Sequence, residues 1–327
     1  KFNMLYSDDD MSSVTALSEK VIGDVFRNGE FVSSSSISWS DYIEGKVVIM
    51  KYSFYMSSRE YLKGYGLNNE DFLNNVKSIN YIVVVPGSGS SETTYCYFID
   101  SATSEAYQFN LMGSESSSEL YNAIQNMQYS SGNTIDYIST VQSGLNIFDS
   151  TYVPQWANGE YTYNALKVSN PFSKEDGSVD SDKLGECVNR FFDNYVSGAD
   201  ATLVNDVYTF TNDNTVVKYY ENGVLEYYDY GTGTSSSEQT LSSAYTISQN
   251  FLEKDMYITN DVYLAGAETR NDGLALYYDY AVDDVPVEFS EELAAETGMN
   301  HAIEIVVSND GVKRYKRYVA EFTKNES

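Results

Sequence analysis

His301 is the only histidine in the 327 residues, so any Ser-His-Asp or Cys-His catalytic site would have to be assembled around it. The Gly-x-Ser-x-Gly turn that presents a nucleophilic serine does not occur. His301 sits where a strand is expected to begin and reads as an ordinary, partly exposed side chain. Gly87-x-Gly89 follows an apolar run, but no Lys-Ser/Thr completes a phosphate loop and the next residues favour strand over helix. That pattern reads as a hairpin tip. Asp176-Gly-Ser-Val-Asp-Ser-Asp182 has the look of a calcium loop, yet counting from Asp180 places Leu184 at the fifth position and Phe191 at the twelfth. Neither offers an oxygen ligand, and helix capping accounts for these acids better.

Lys313-Arg-Tyr-Lys-Arg317 is the one basic cluster. Strand alternation would put Arg314 and Lys316 on one face, with Lys313, Tyr315 and Arg317 on the other. Two readings stand: pairing with acidic neighbours inside the fold, or a patch of Lys313, Arg314, Lys316 and Arg317 that docks an acidic partner. Carboxylates for glycoside hydrolysis abound, but such a pair is defined by its separation in space and no two residues stand out. Exposed tyrosines with Trp39 and Trp156 would suit stacking on sugars, although aromatic residues at strand spacing belong more often to cores and sheet surfaces. No catalytic residue, cofactor or metal is assigned.

The elements that must position these residues follow from periodicity. An amphipathic helix is expected over 10–27, with Val14, Leu17, Val21, Ile22, Val25 and Phe26 at helical spacing and Gly29 ending it. A β-rich run over 46–55, short helices over 58–64 and 69–76, strands over 81–85, 94–99 and 107–111, and a helix over 116–128 complete an α+β domain ending near 150. The stretch 152–172 mixes linker and strand character. Asp180 or Ser181 then caps a helix carrying Leu184, Val188, Phe191, Phe192 and Tyr195, followed by strands and a hairpin over 215–228 turned at Asn222-Gly223. A linker over 231–237 leads to a helix with Leu241, Tyr245, Ile247, Phe251 and Leu252. Strands are expected over 261–267, 274–282 and 302–307, the last turning at Asp310-Gly311 into 312–322. Helix followed by Asx-Gly hairpins thus occurs twice. The expected division is 1–150, 151–232 and 233–327, a multi-domain α+β chain of helices on mainly antiparallel sheets.

Composition narrows the partners. With 20 Lys+Arg against 48 Asp+Glu the formal charge is -28, which repels phosphate backbones and anionic lipid surfaces, so neither nucleic acid nor direct docking of the folded part on a membrane is expected. Cys96 and Cys187 lie in an apolar run and an amphipathic helix, which suggests two separate cores. Cysteine poverty beside abundant Ser, Asn, Thr and Tyr fits an exported bacterial protein that does not rely on disulfides.

The order of segments resembles the YycH family, extracytoplasmic regulators of the YycG (WalK) sensor kinase that governs cell-wall homeostasis in Gram-positive bacteria. The similarity is carried by Ile79-Asn-Tyr-Ile-Val-Val84 paired with 95–99, by Tyr152-Val-Pro154, and by the Asn189-Arg-Phe-Phe-Asp193 helix. Tyr219-Tyr-Glu-Asn-Gly-Val-Leu-Glu-Tyr227 adds a strand, turn and return. The last part, with Val285-Pro-Val287 and the closing hairpin over 302–318, is similar to the portion that YycH shares with YycI proteins. The resemblance implies a non-catalytic regulator anchored at the extracellular face of the membrane by a single helix upstream of Lys1. The partner it implies is the kinase, with a YycI-like protein beside it, and it carries over no catalytic residues. A secreted carbohydrate-binding or glycoside-hydrolysing protein is the rival reading.

Overall fold

Helix α1 begins the fold in the computed structural model, which describes residues 8–38, 42, 46–89, 91–130, 136–139, 152–155, 166–192, 202–231, 239–282, 285–287, 289–309 and 311–324. It spans Asp8–Asn28, and its Val14, Val21, Ile22, Val25 and Phe26 are buried, as their spacing on one helical face requires. Gly29 ends the helix by donating to the Val25 carbonyl at 2.8 Å. A Cβ there would lie 2.6 Å from that same oxygen, so the stop needs glycine.

In the first compact unit, Lys1–Tyr163, a five-stranded antiparallel sheet carries β1 (Glu30–Ser36), β2 (Val48–Ser57), β3 (Ser78–Val85), β4 (Thr93–Asp100) and β5 (Glu105–Met112) in the order β1-β5-β4-β3-β2. The helices α2 (Ser58–Gly64) and α3 (Glu70–Asn75) are capped by Ser57 and Asn69, whose side chains accept from Glu60 and Phe72 amides. With α1 and α4 (Glu115–Ser130) they cover one sheet face, where Phe26, Phe72, Phe98 and Phe109 interlock at 4.8–5.6 Å between ring centres. Ile82 and Val84 point into this core, while Tyr81 and Val83 pack on the other face with Tyr42, Ile99 and Ala106. The short pair β6 (Asp136–Ser139) and β7 (Tyr152–Gln155) ties 152–155 to this unit, beyond the boundary expected near 150.

The second unit is Asn164–Ser327. After β8 (Leu166–Ser169) comes α5 (Ser181–Asn189), then β9 (Thr202–Val204), β10 (Val207–Asn212), β11 (Thr215–Tyr220) and β12 (Val224–Asp229). Next are α6 (Leu241–Leu252), β13 (Asp261–Arg270), β14 (Gly273–Val282), β15 (Val285–Pro286), α7 (Glu291–Thr297), β16 (Ile303–Ser308), β17 (Gly311–Tyr318) and β18 (Glu321–Lys324). One sheet runs β13-β14-β16-β17-β12-β11-β10-β9, with β15 on β14, and β18 pairs with β8.

The two helix-plus-hairpin segments are therefore halves of one sheet and not separate domains at 151–232 and 233–327. Their last strands, β12 and β17, pair antiparallel, and each half reads outward from that seam as a meander preceded by its own helix. The core crosses the seam: Phe191 after α5 stacks on Phe251 of α6 at 5.3 Å, and Phe251 meets Tyr227 of β12 at 4.9 Å and Tyr315 of β17 at 5.3 Å. Burying these rings in one place makes each half the wall of the other's core. No helix among the described residues is long and apolar enough to cross a membrane.

Candidate functional site

The basic cluster falls on β17, which lies between β16 and β12 and so has one face under α5 and α6 and one face open. Alternation places Tyr315 and Arg317 on the covered face and Arg314 and Lys316 on the open one, as the spacing predicts. Lys313 occupies a bulge, because Val306 pairs with Arg314 while Val307 pairs with Val312.

Arg317 is a correction to the predicted docking patch. A central strand leaves no solvent on its helix side, and the guanidinium is wholly buried with Asp255, which follows α6. Nη1 approaches Asp255 Oδ2 at 2.6 Å as an ion contact, while Nε donates to Tyr280 Oη at 2.8 Å and Nη2 to the Tyr257 carbonyl at 2.5 Å. Asp255 also accepts from Tyr315 Oη at 2.8 Å and from the Tyr257 amide at 3.2 Å. Such a pair holds β17 to the turn after α6, and its burial keeps it out of a partner's reach.

On the open face Arg314 and Lys316 are both paired with carboxylates. Directly opposed residues of antiparallel strands share a face. One row across the sheet therefore reads Lys218, Glu226, Lys316, Glu304 and Tyr277, in alternating charge until the tyrosine. Glu304 Oε1 accepts from Arg314 Nη2 at 2.7 Å and from Arg270 Nη1 at 2.9 Å. Arg270 also donates to Tyr277 Oη at 2.6 Å, and Tyr277 Oη donates in turn to Glu268 Oε2 at 2.7 Å. Lys316 reaches Glu226 at 3.7 Å and the Thr297 carbonyl at 3.2 Å, and Glu226 accepts from Tyr220 and Tyr228 at 2.9 and 3.2 Å. Burial, with donation to carboxylates beside it, pushes Tyr277, Tyr220 and Tyr228 each up to about 12. Tyr277 Oη and Arg270 together lower the Glu268 carboxyl, whose charge they share. The pairing reading thus describes Arg314 and Lys316, which keep side-chain exposures of 30% and 21%.

The other candidates resolve into structure. His301 Nδ1 lies 2.8 Å from Asp279 Oδ2, whose other oxygen accepts the Ala302 amide at 2.8 Å, and its ring leans on Tyr277 at 4.9 Å. Asp279 thereby fixes the start of β16. The Gly87 amide donates into the side chains of Ser117 and Thr94, and Glu92 takes the Ser88 amide and hydroxyl, so this hairpin tip turns its donors inward. Asp180 caps α5 through the Lys183 amide, as the capping argument requires, while Asp176 accepts from the Ser178 amide and hydroxyl in the turn before it. Among the described residues no group of three His, Cys, Asp or Glu is placed to hold a metal. Cys96 and Cys187 are free and buried in the cores of different units, and burial pushes both thiols up. Trp39, Trp156, Tyr195 and Asp310 lie outside the described residues.

Comparison with known proteins gives one anchor. No protein-family model and no curated protein sequence matches the chain. Among solved structures, the crystal structure of YycH from Bacillus subtilis superposes with a TM-score of 0.52 at 13% identity, covering 95% of this chain and 77% of that one. At that identity the likeness establishes a shared fold, which extends over both units, and the α+β architecture is that of YycH.

Proposed function

We propose that the chain is a non-catalytic, extracytoplasmic regulator of a membrane sensor histidine kinase of the YycG (WalK) kind, acting through protein contact in the control of cell-wall homeostasis. The observation that supports this most is the YycH fold along 95% of the chain. The order of short motifs from Ile79 to the closing hairpin adds to it. Regulation of this sort needs a contact that differs in free energy between two signalling states of the kinase. Anchoring at the outer membrane face by a helix upstream of Lys1 would supply the proximity that makes a weak contact effective. A YycI-like protein is the expected second partner.

The test is reconstitution of the anchored protein with the cognate kinase in lipid nanodiscs, reading the rate of kinase autophosphorylation. A change in rate that saturates at a fixed ratio of the two proteins is expected. An unchanged rate together with failure of the two to co-purify from membranes overturns the reading, and hydrolysis of cell-wall glycan by the purified chain would replace it with an enzymatic one.

A further inference from the structure

The loop between α2 and α3 is shaped by the way α2 stops. The Gly66 amide donates to the Lys63 carbonyl at 3.0 Å and the Leu67 amide to the Leu62 carbonyl at 3.1 Å, with Gly66 in the left-handed region at φ 65°. In this Schellman arrangement the residue after the glycine packs back toward the last turn of the helix, here Leu67 toward Leu62. Both leucines, with Leu73 of α3, form the apolar floor of a cavity of about 210 Å³. That volume is below the roughly 300–1,000 Å³ of pockets that enclose drug-sized ligands, so it suits a short aliphatic chain. A Cβ on Gly66, at its edge, would meet nothing within 4 Å, which leaves the mouth open.

The rim is cationic. Arg59 and Lys63 stand four residues apart on α2 and so share a helical face, and both line the cavity, where Asn68 adds an amide. Both cations are exposed, and among the described residues neither makes an ion pair or a side-chain hydrogen bond. Glu60, Glu70 and Asp71 belong to the same two helices but lie outside the lining. In a sequence with 48 Asp+Glu against 20 Lys+Arg, a lining with two cations and no acid reverses the balance of the chain. A leucine floor under two such cations matches an anion that carries a hydrocarbon tail. The tail leaves water against the leucines, and the head meets donors with no other acceptor.

We propose that the cavity between α2 and α3 binds a small amphiphilic anion, an aliphatic carboxylate, with its chain on Leu62, Leu67 and Leu73 and its head between Arg59 and Lys63. The site goes beyond the contact-regulator reading and stands whether or not that reading does.

The full chain, with isotopically labelled leucine methyl groups, is titrated with octanoate, with octylammonium of the same chain length, with acetate and with a short peptide of alternating Glu and Leu. Octanoate should shift the methyl resonances of Leu62, Leu67 and Leu73 and saturate with one molecule bound. Octylammonium, which the rim repels, acetate, which has no tail, and the peptide should leave them in place at the same concentrations. Arg59→Gln combined with Lys63→Gln alters exposed side chains alone, and octanoate affinity should fall about fivefold or more in that variant. Leu73→Ala removes part of the floor and should weaken octanoate as well.

Octanoate shifts scattered over other leucines, equal binding of octylammonium, or a folded double variant that binds octanoate as the wild type does overturns the proposal. Shifts produced by the peptide and not by octanoate also overturn it, and would give the cavity to a protein partner instead.

Discussion

Arg317 Nη1 and Asp255 Oδ2 lie 2.6 Å apart with side-chain exposures of 0% and 1%, so a full ion pair is enclosed in the core of the second unit. Taking two charges out of water is costly, and the cost is offset in part by the bonds that Tyr315 and the Tyr257 amide make to Asp255 and that Arg317 makes to Tyr280 and the Tyr257 carbonyl. The burial also pushes the Tyr315 hydroxyl well above its ordinary range, with the Asp255 charge adding to this.

Breaking one side of the pair strands the other. Asp255→Asn is expected to lower stability by about 3–5 kcal/mol, read as a shift in the urea midpoint. Asp255→Leu combined with Arg317→Met removes both charges and should lose much less. If the single and double variants lose equally, the pair is not a coupled unit.

Phe251 tests whether the two halves of the second unit are one cooperative body. Because it packs on Phe191 and Tyr227 from the other half, Phe251→Ala should cost about 3–5 kcal/mol and weaken both halves together. Hydrogen exchange should then accelerate in β11 and in β16 alike. Acceleration confined to β16 would restore the division into separate domains.

Much of the first unit was legible because its signals are local. The helical spacing from Val14 to Phe26, the Ser57 and Asn69 caps and the apolar run of β3 each declare themselves within a few residues. Strand β1 was not expected: Glu30–Ser36 ends in four serines, and its strand character comes from the ladder with β5, far away in sequence. Helix α7 escaped because seven residues behind a Ser290 cap give too little periodicity. The single sheet of the second unit was hidden for the same reason as β1, since the β12–β17 seam joins Leu225 to Arg317 without a local trace. Alternation along Lys313-Arg-Tyr-Lys-Arg317 gave the right sides for Arg314 and Arg317. Which side is buried depended on the helices above it, and Asp255 carries no mark of its role.

The cysteines give a chemical check on the two cores. Both thiols are buried and pushed up by that burial, so neither should react with an alkylating reagent in the native protein at neutral pH. Both should react after denaturation, and migration in gels should not depend on reductant. Rapid native labelling of Cys187 would mean that the α5 side of the core opens easily.

Alkaline pH should weaken the fold through its tyrosines. In the unfolded chain a tyrosine ionises near pH 10, whereas Tyr220, Tyr228 and Tyr277 are pushed up to about 12 by burial and by carboxylate acceptors. Between those values the unfolded state has lost protons that the native state keeps, so stability falls as pH rises. Their contribution is complete below pH about 10 and is spent once pH passes about 12. Urea midpoints should therefore decline across that interval, and tyrosinate absorbance of the native protein should lag that of the unfolded chain. Replacing Tyr277 with Phe removes one titrating group and should flatten the decline. A midpoint that holds level through the interval would mean that these hydroxyls ionise in the folded protein as freely as in water.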